Sequence, residues 1–344
     1  MKPSEVIMML KAYIPARLPA LLVGKPGIGK TDVCFQAAQL CDADIVLSHP
    51  VVEDPTDVKG LPAKLNDTEA TFLPYGQMVR IMKATKLTLW FLDDLGQATP
   101  AVQASYMQPI LAREINGRRI PDCVTFVAAT NRRSDKAGVS GVLEPVKSRF
   151  VSIIELTTDL QEWCNWAIKH GGISATLIAF MRLKPDRLSA FNPTADMTNS
   201  PSPRTWANLA KIEALGLPAT IEHEAMSGSV GEGDATDYLT FRKMCAHMVS
   251  ADAILTDPAN AALPKTPGER YAISTALAAR ANEKTIARIG HYVTRMAQAD
   301  MGEFAALCVR DSLRRVPGIA NTADYVKLMC GPVGQLISGQ TITT

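Results

Sequence analysis

Three observations predict an α/β fold with a parallel five-stranded sheet in the first half of the chain and an all-helical second half. Short apolar runs alternate with helix-length amphipathic stretches as far as about residue 157, and only helical spacing follows. One Gly-rich segment, Gly24–Thr31, stands between the first apolar run and a helix. Strands that alternate with helices imply crossover connections, which cover both faces of a parallel sheet. The expected division is a core at 1–157 and a helical lid with a C-terminal helical extension at 158–344.

The first element is a short helix at 5–14, entered through Pro3 and Ser4 and ended by Pro15. Buried strands are expected at Ala20–Val23, Ile45–Leu47, Leu87–Leu92, Val124–Ala129 and Val151–Ile154. Helical spacing then runs through 159–183, 204–215, 236–255, 269–299 and 302–314, broken by Gly171–Gly172 and by Pro185, Pro193, Pro201, Pro258, Pro264 and Pro267. Ala195–Pro203 and the Gly-rich Gly228–Asp234 read as loops. No period of 20–50 residues repeats, so a solenoid is excluded.

Composition narrows the class without naming a partner. Of 344 residues 47% are hydrophobic, and 36 Lys and Arg nearly balance 34 Asp and Glu, so no net field recommends nucleic acid, an anionic membrane or an acidic substrate. Seven scattered cysteines with no C-x-x-C pair read as reduced thiols in a cytoplasmic protein. Lys11 and Arg17 interrupt the apolar residues between Val6 and Leu22, so neither an export signal nor a membrane span is expected.

Gly24-Lys25-Pro26-Gly27-Ile28-Gly29-Lys30-Thr31 is a full G-x-x-x-x-G-K-[ST]. Its glycines let backbone N–H groups turn inward on phosphates, and the helix that follows adds its positive end. Lys30 would meet the β- and γ-phosphates of ATP, and the Thr31 hydroxyl would ligate Mg²⁺. Leu87–Leu92 delivers Asp93 and Asp94 at a strand's C-terminal end, where open α/β sheets bind ligands. Asp93 would hold Mg²⁺ and Asp94 would polarise the attacking water, although strand-terminating acids are also found simply solvated. Asn131 ends the next apolar strand, where it could orient that water or serve as an ordinary turn residue. Arg149 precedes the last strand and is open to two readings, a solvated charge or an arginine finger for an adjacent subunit.

The ordered series resembles the MoxR branch of AAA+ ATPases, and within it the CbbQ/NorQ-like proteins, over roughly residues 17–245. The resemblance rests on Leu21–Thr31, Asp54–Pro62, Trp90–Asp94 followed by Ala101-Val102-Gln103-Ala104, Ala129–Arg132, Ser148–Phe150 and Ser202-Pro203-Arg204. It implies that Asn131 is sensor 1, Arg149 the arginine finger and Arg204 sensor 2 at the start of a lid helix. It further implies that Asp54–Tyr75 and Arg113–Pro121 are hairpins facing the pore of a hexameric ring, where they contact a client or adaptor, often one with a von Willebrand A domain. ATP would then lie between core and lid with the finger arriving from the next subunit. Asn116-Gly117 is independently a hairpin-turn signal. Asp94 departs from the family, where Glu is usual, and its shorter arm predicts slow or partner-dependent turnover.

Three functions compete at this point: a remodelling ATPase acting on a partner protein, a nucleic-acid motor or loader, and a non-hydrolysing nucleotide-gated scaffold. Near-zero net charge and the lack of a recognisable DNA-binding module weigh against the second. His223–Ser227 lacks the second His of a metalloprotease, Trp163 and Trp166 read as packing residues, and the pairs Arg118-Arg119 and Arg132-Arg133 read as solvated charge.

Overall fold

The computed structural model describes residues 1–135, 141–192 and 197–338. The chain divides into two compact units, one built on Met1–Asp159, the other on Leu160–Ala190 and the described residues after 196.

In the first unit, helix α1 (Pro3–Ala16) leads into β1 (Ala20–Val23), and helix α2 (Lys30–Leu40) leads into β2 (Asp44–Ser48). Strands β3 (Leu61–Lys64) and β4 (Ala70–Leu73) form one hairpin; β5 (Thr88–Leu92) follows; β6 (Glu114–Ile115) and β7 (Arg118–Arg119) form a second. The unit closes with β8 (Val124–Thr130) and β9 (Ser152–Glu155). Five of these strands make one parallel sheet in the order β2-β5-β8-β1-β9, the α/β P-loop class that the sequence predicts.

Period-2 alternation explains why both faces are covered. Ala20, Leu22, Leu89, Phe91, Val127 and Ala129 face a core with Val6, Leu10 and Ile14 of α1 and Val33, Cys34 and Ala37 of α2. The intervening Leu21, Trp90, Leu92, Phe126 and Ala128 face an opposite core with Met78, Val102, Tyr106 and Ile110. Trp90 anchors that second core: its ring lies 5.6 Å from Tyr106 edge-on and 5.3 Å from Phe126, and its Nε1 donates to Ser48 Oγ at 2.9 Å. Burying a side chain of this size stabilises the fold by about 1.5–3 kcal/mol.

Pro15 does not end the first helix. It sits inside the last turn of α1, which stops at Arg17 in the left-handed conformation (φ 59°). The bond that Pro15 cannot make to Lys11 O is replaced by the Cys41 thiol, 3.6 Å from that carbonyl.

The second unit contains only helices among its described residues. Leu160–His170, Ala175–Leu183, Pro203–Ala214, Ala219–Val230 and Glu232–Ala246 enclose one core around Phe180, Trp206 and Tyr238, and Trp163 is buried there with Trp166 packed against it. Ala251–Thr256, Pro267–Ala279, Ile286–Gln298, Gly302–Arg315, Ala323–Met329 and Pro332–Ser338 enclose another around Leu277, Tyr292 and Val309. A buried ion pair joins helices of both groups: Arg182 Nη1 lies 2.6 Å from Asp311 Oδ2 and donates to Thr275 Oγ1 at 3.1 Å.

Gly228–Asp234 is not a loop. Gly228 and Gly233 lie in helices, and Gly231 alone (φ 90°) makes the joint between Ala219–Val230 and Glu232–Ala246. Nothing lies within 4 Å of where a Cβ on Gly228 or Gly233 would sit, so their glycine content reflects neither a turn nor a close approach. Of the stretch Ala195–Pro203, residues 195 and 196 lie outside the described residues, as does Pro193; residues 197–202 carry no helix or strand, and Pro203 opens the next helix.

Candidate functional site

Strand register brings the motif residues to one edge of the sheet. Val23 pairs with Thr130 and Leu92 with Ala128, so the segments that leave β1, β5 and β8 at their C-terminal ends emerge side by side. Gly24 N–H donates to Thr130 O at 3.2 Å, fastening the start of the Gly-rich loop to the end of β8. A Cβ at Gly24 would meet Leu156 O at 2.9 Å, so no larger residue fits there. Gly27 (φ 74°) and Gly29 (φ 96°) hold left-handed backbone through the loop, and α2 begins directly at Lys30.

Five side chains meet at this edge. Lys30 is buried, and its Nζ donates to Gly24 O at 2.9 Å, to Lys25 O at 3.1 Å and to Asn131 Oδ1 at 2.6 Å. The Thr31 hydroxyl donates to Asp93 Oδ2 at 2.8 Å. Asn131 Nδ2 donates to Asp94 Oδ1 at 3.3 Å, so a single amide touches both the loop lysine and the second acid. Asp93 accepts from the Asp94 N–H at 3.1 Å, and Asp94 itself sits in the left-handed region (φ 57°, ψ 34°), which Asp and Asn tolerate better than other side chains. Asn131, Asp93 and Asp94 thus each bond to another member of the group.

Burial, and then the nearby Asp93 carboxylate, pushes the Cys34 thiol well above its ordinary value. Cys34 therefore stays protonated one helical turn behind Thr31, inert beside the site.

The oxygen donors Thr31 and Asp93 suit a hard divalent cation such as Mg²⁺, and the inward loop with its lysine suits a polyphosphate. The described residues hold no cluster of three or more His, Cys, Asp or Glu placed to bind a metal.

Two predicted residues are not part of this group. Arg149 Nε donates to Met107 O at 2.9 Å and its Nη1 to Pro145 O, so its guanidinium rests on backbone carbonyls. Arg204 belongs to the second unit, exposed at the second position of the helix Pro203–Ala214, whose N-cap Ser202 accepts from Thr205 N–H at 3.2 Å.

Sequence reasoning missed several neighbours. Arg132 is not simply solvated: it binds Asp135 and reaches Glu155 of β9 at 2.8 Å, and these bonds, led by that to Asp135, raise its guanidinium above its ordinary value. Gln103 is wholly buried and, among the described residues, its hydrogen bonds go to backbone groups. Nothing in its local spacing marks that role, because its partners lie up to 40 positions away.

The expected hairpins are both present. Asn116 (φ 48°) and Gly117 (φ 76°) form the left-handed two-residue turn between β6 and β7. Asn116 Nδ2 donates to Lys59 O, tying this hairpin to the segment that precedes β3. Phe72, Ile115, Asn116 and Arg118 line a shared crevice between the two.

No protein-family model matches the chain, and no curated protein matches it. Among solved structures it is similar to a P216G mutant of RuvB from Thermotoga maritima, at 16% identity and a TM-score of 0.43 over 74% of this chain and 80% of that one. It is also similar to NtrX from Brucella abortus in complex with ATP, at 13% identity and a TM-score of 0.41 over 94% of this chain and 64% of that one. Likeness at this level says nothing of substrate or partner. The sheet order, with the Gly-rich loop after β1 and the paired acids after β5, is that of a parallel α/β P-loop fold.

Proposed function

We propose that this chain is an ATP-hydrolysing AAA+ ATPase of the MoxR type that works as a homo-oligomeric, hexameric ring in the cytoplasm and remodels a partner protein. The observation that carries the reading is the Lys30–Asn131–Asp94 chain of hydrogen bonds beside the Thr31–Asp93 pair, at the sheet edge where the Gly-rich loop enters α2. Each group has a role there. Backbone N–H groups of Gly24–Thr31 and the Lys30 ammonium bind phosphate, Asp94 takes the proton of the attacking water, and Asn131 orients Asp94 while sensing the γ-phosphate. Mg²⁺ held by Thr31 and Asp93 would neutralise charge between the β- and γ-phosphates.

Arg149 and Arg204 complete the reading as finger and sensor 2. A finger must enter a neighbouring subunit's site, so Arg149 would exchange its bonds to Met107 O and Pro145 O for a phosphate on assembly. Leu61, Leu65 and Leu73 are exposed on the first hairpin, an apolar surface suited to a protein client such as a von Willebrand A domain protein. No helix among the described residues is long and apolar enough to cross a membrane.

Lys30→Ala tests the whole reading. ATP affinity and hydrolysis should both collapse while the protein still folds, with a lowered thermal midpoint because Lys30 donates three bonds; unchanged affinity and turnover would refute the phosphate-binding assignment. Stimulation of wild-type hydrolysis by DNA or RNA, lost steeply as salt rises, would favour a nucleic-acid motor instead.

A further inference from the structure

Gln103 connects two segments that the nucleotide chemistry needs to keep in register. It lies on the helix Pro100–Ser105, wholly buried, and its side-chain amide bonds in three directions. Nε2 donates to Ala98 O at 3.0 Å, at the end of the turn that follows Asp93 and Asp94. The same nitrogen donates to Gly141 O at 2.9 Å, and Oε1 accepts from Leu143 N–H at 2.9 Å. Gly141 N–H also reaches Gly96 O at 3.3 Å, within that same turn.

The segment so fastened leads directly to Arg149. Leu143 is the N-cap of the helix Glu144–Lys147, and Arg149 follows two residues after that helix. In the unassembled chain Arg149 Nε donates to Met107 O, four residues beyond Gln103, and once that bond is exchanged on assembly Gln103 remains to hold the segment. A buried amide that satisfies three backbone groups leaves them stranded when it is removed, so the segment would lose its fixed position rather than merely soften.

We propose that Gln103 is the positioning residue for Arg149: it locks the finger-bearing segment 141–149 to the turn after the paired acids, so that Arg149 is presented to the next subunit in one place. The proposal rests on the ATPase reading above. Gln103 touches no nucleotide in this scheme and acts only through the backbone of Gly141 and Leu143. A displacement of about 1 Å in a catalytic group costs on the order of 10²-fold in rate, which sets the expected effect.

The test uses the full chain and a directional mixing assay. Gln103→Met keeps the side-chain volume and removes the three bonds. It should bind a fluorescent ATP analogue within about threefold of wild type and hydrolyse ATP about 10²-fold more slowly. Mixed with Lys30→Ala, which brings an intact finger, it should regain activity, because its own phosphate site is whole. Mixed with Arg149→Ala it should not, because neither subunit then presents a finger.

Recovery with Arg149→Ala, failure to recover with Lys30→Ala, or wild-type turnover by Gln103→Met alone would each overturn the proposal. Leu143→Pro serves should Gln103→Met not fold. It removes the N–H that Gln103 accepts from at a position whose φ of −58° suits proline. It should show the same pattern in both mixtures, and wild-type behaviour in both would overturn the proposal. A wild-type protein that neither binds nor hydrolyses ATP sinks the ATPase reading and this proposal together, whereas an active wild type with a fully active Gln103→Met sinks this proposal alone.

Discussion

Replacing Asp94 with Asn separates chemistry from architecture, because the local structure makes the exchange nearly silent for folding. Position 94 holds φ 57° and ψ 34°, left-handed backbone that Asn accepts as readily as Asp. The single bond from Asn131 Nδ2 is 3.3 Å long, and the amide oxygen of the substituted side chain can accept it too. Structural loss is therefore bounded at about 1 kcal/mol, less than about fivefold in any binding constant. What Asn cannot do is take a proton, and loss of a general base costs about 10²–10⁴ in rate, or about 2.7–5.5 kcal/mol of barrier. ATP should then bind with near-normal affinity and persist uncleaved. Equilibrium binding of a fluorescent ATP analogue, paired with single-turnover phosphate release, measures both quantities on one sample. Wild-type release by Asp94→Asn would refute the assignment of the base. Asp94→Glu should raise basal turnover through its longer arm, yet lower the thermal midpoint, since Glu in left-handed backbone costs about 1–2 kcal/mol.

Arg149→Ala should cut hydrolysis by about 10³–10⁵ with little change in binding, and mixing it with Lys30→Ala should restore activity in part; absence of rescue in a verified mixed oligomer would place Arg149 in its own subunit's structure. Arg182→Met should lower the unfolding free energy in urea by about 3 kcal/mol, the lower end for a broken buried pair because Arg314 still lies 3.3 Å from Asp311. The double variant Arg182→Met with Asp311→Leu should recover most of that loss, and a further loss would mean that the site is packed for charge. Burial pushes the Glu53 carboxyl above its ordinary value of 4.5, partly countered by bonds from Tyr106 and Ser48. The folded state then holds this proton more tightly than the unfolded chain does. Its contribution is full below about pH 4.5 and is lost as pH rises through the raised value, so Glu53→Gln should flatten that slope in urea midpoints taken between about pH 4 and pH 7. An unchanged slope would show that other groups set it.

How much of this is readable in the sequence depends on how local the governing physics is. The loop Gly24–Thr31 and the strands Leu87–Leu92 and Val124–Ala129 announce themselves because phosphate binding and buried parallel pairing each dictate residue types at short spacing. Asn116-Gly117 is legible for the same reason: its turn needs two left-handed residues in succession. Pro15 misleads because its missing hydrogen bond is made good by Cys41, a residue distant in sequence. Gly228–Asp234 misleads because glycines in a helix look like glycines in a loop until the neighbouring turns are seen to pack. The hydrogen bonds of Lys30 to Asn131 and of Gln103 to Leu143 depend on sheet register and chain crossing, which no local pattern encodes.

The bond from Asn116 to Lys59 O has a practical reading for anyone who would label or re-engineer this molecule. The tip of the first hairpin, Asn66–Glu69, is exposed and is closed by its own bonds, with Asn66 Nδ2 donating to Glu69 at 2.8 Å. A short tag or fluorophore inserted there would replace only contacts internal to this hairpin, among them the exposed pair of Asp67 with Lys64. The tip of the second hairpin offers no such freedom, because Asn116 donates to Lys59 O in the segment that leads into the first, and Gly60 next to Lys59 sits where a Cβ would lie 2.5 Å from Leu73 O. Transplanting either hairpin alone into a related scaffold would give up that link, so the two are best grafted, swapped or deleted together with the segment that carries Lys59.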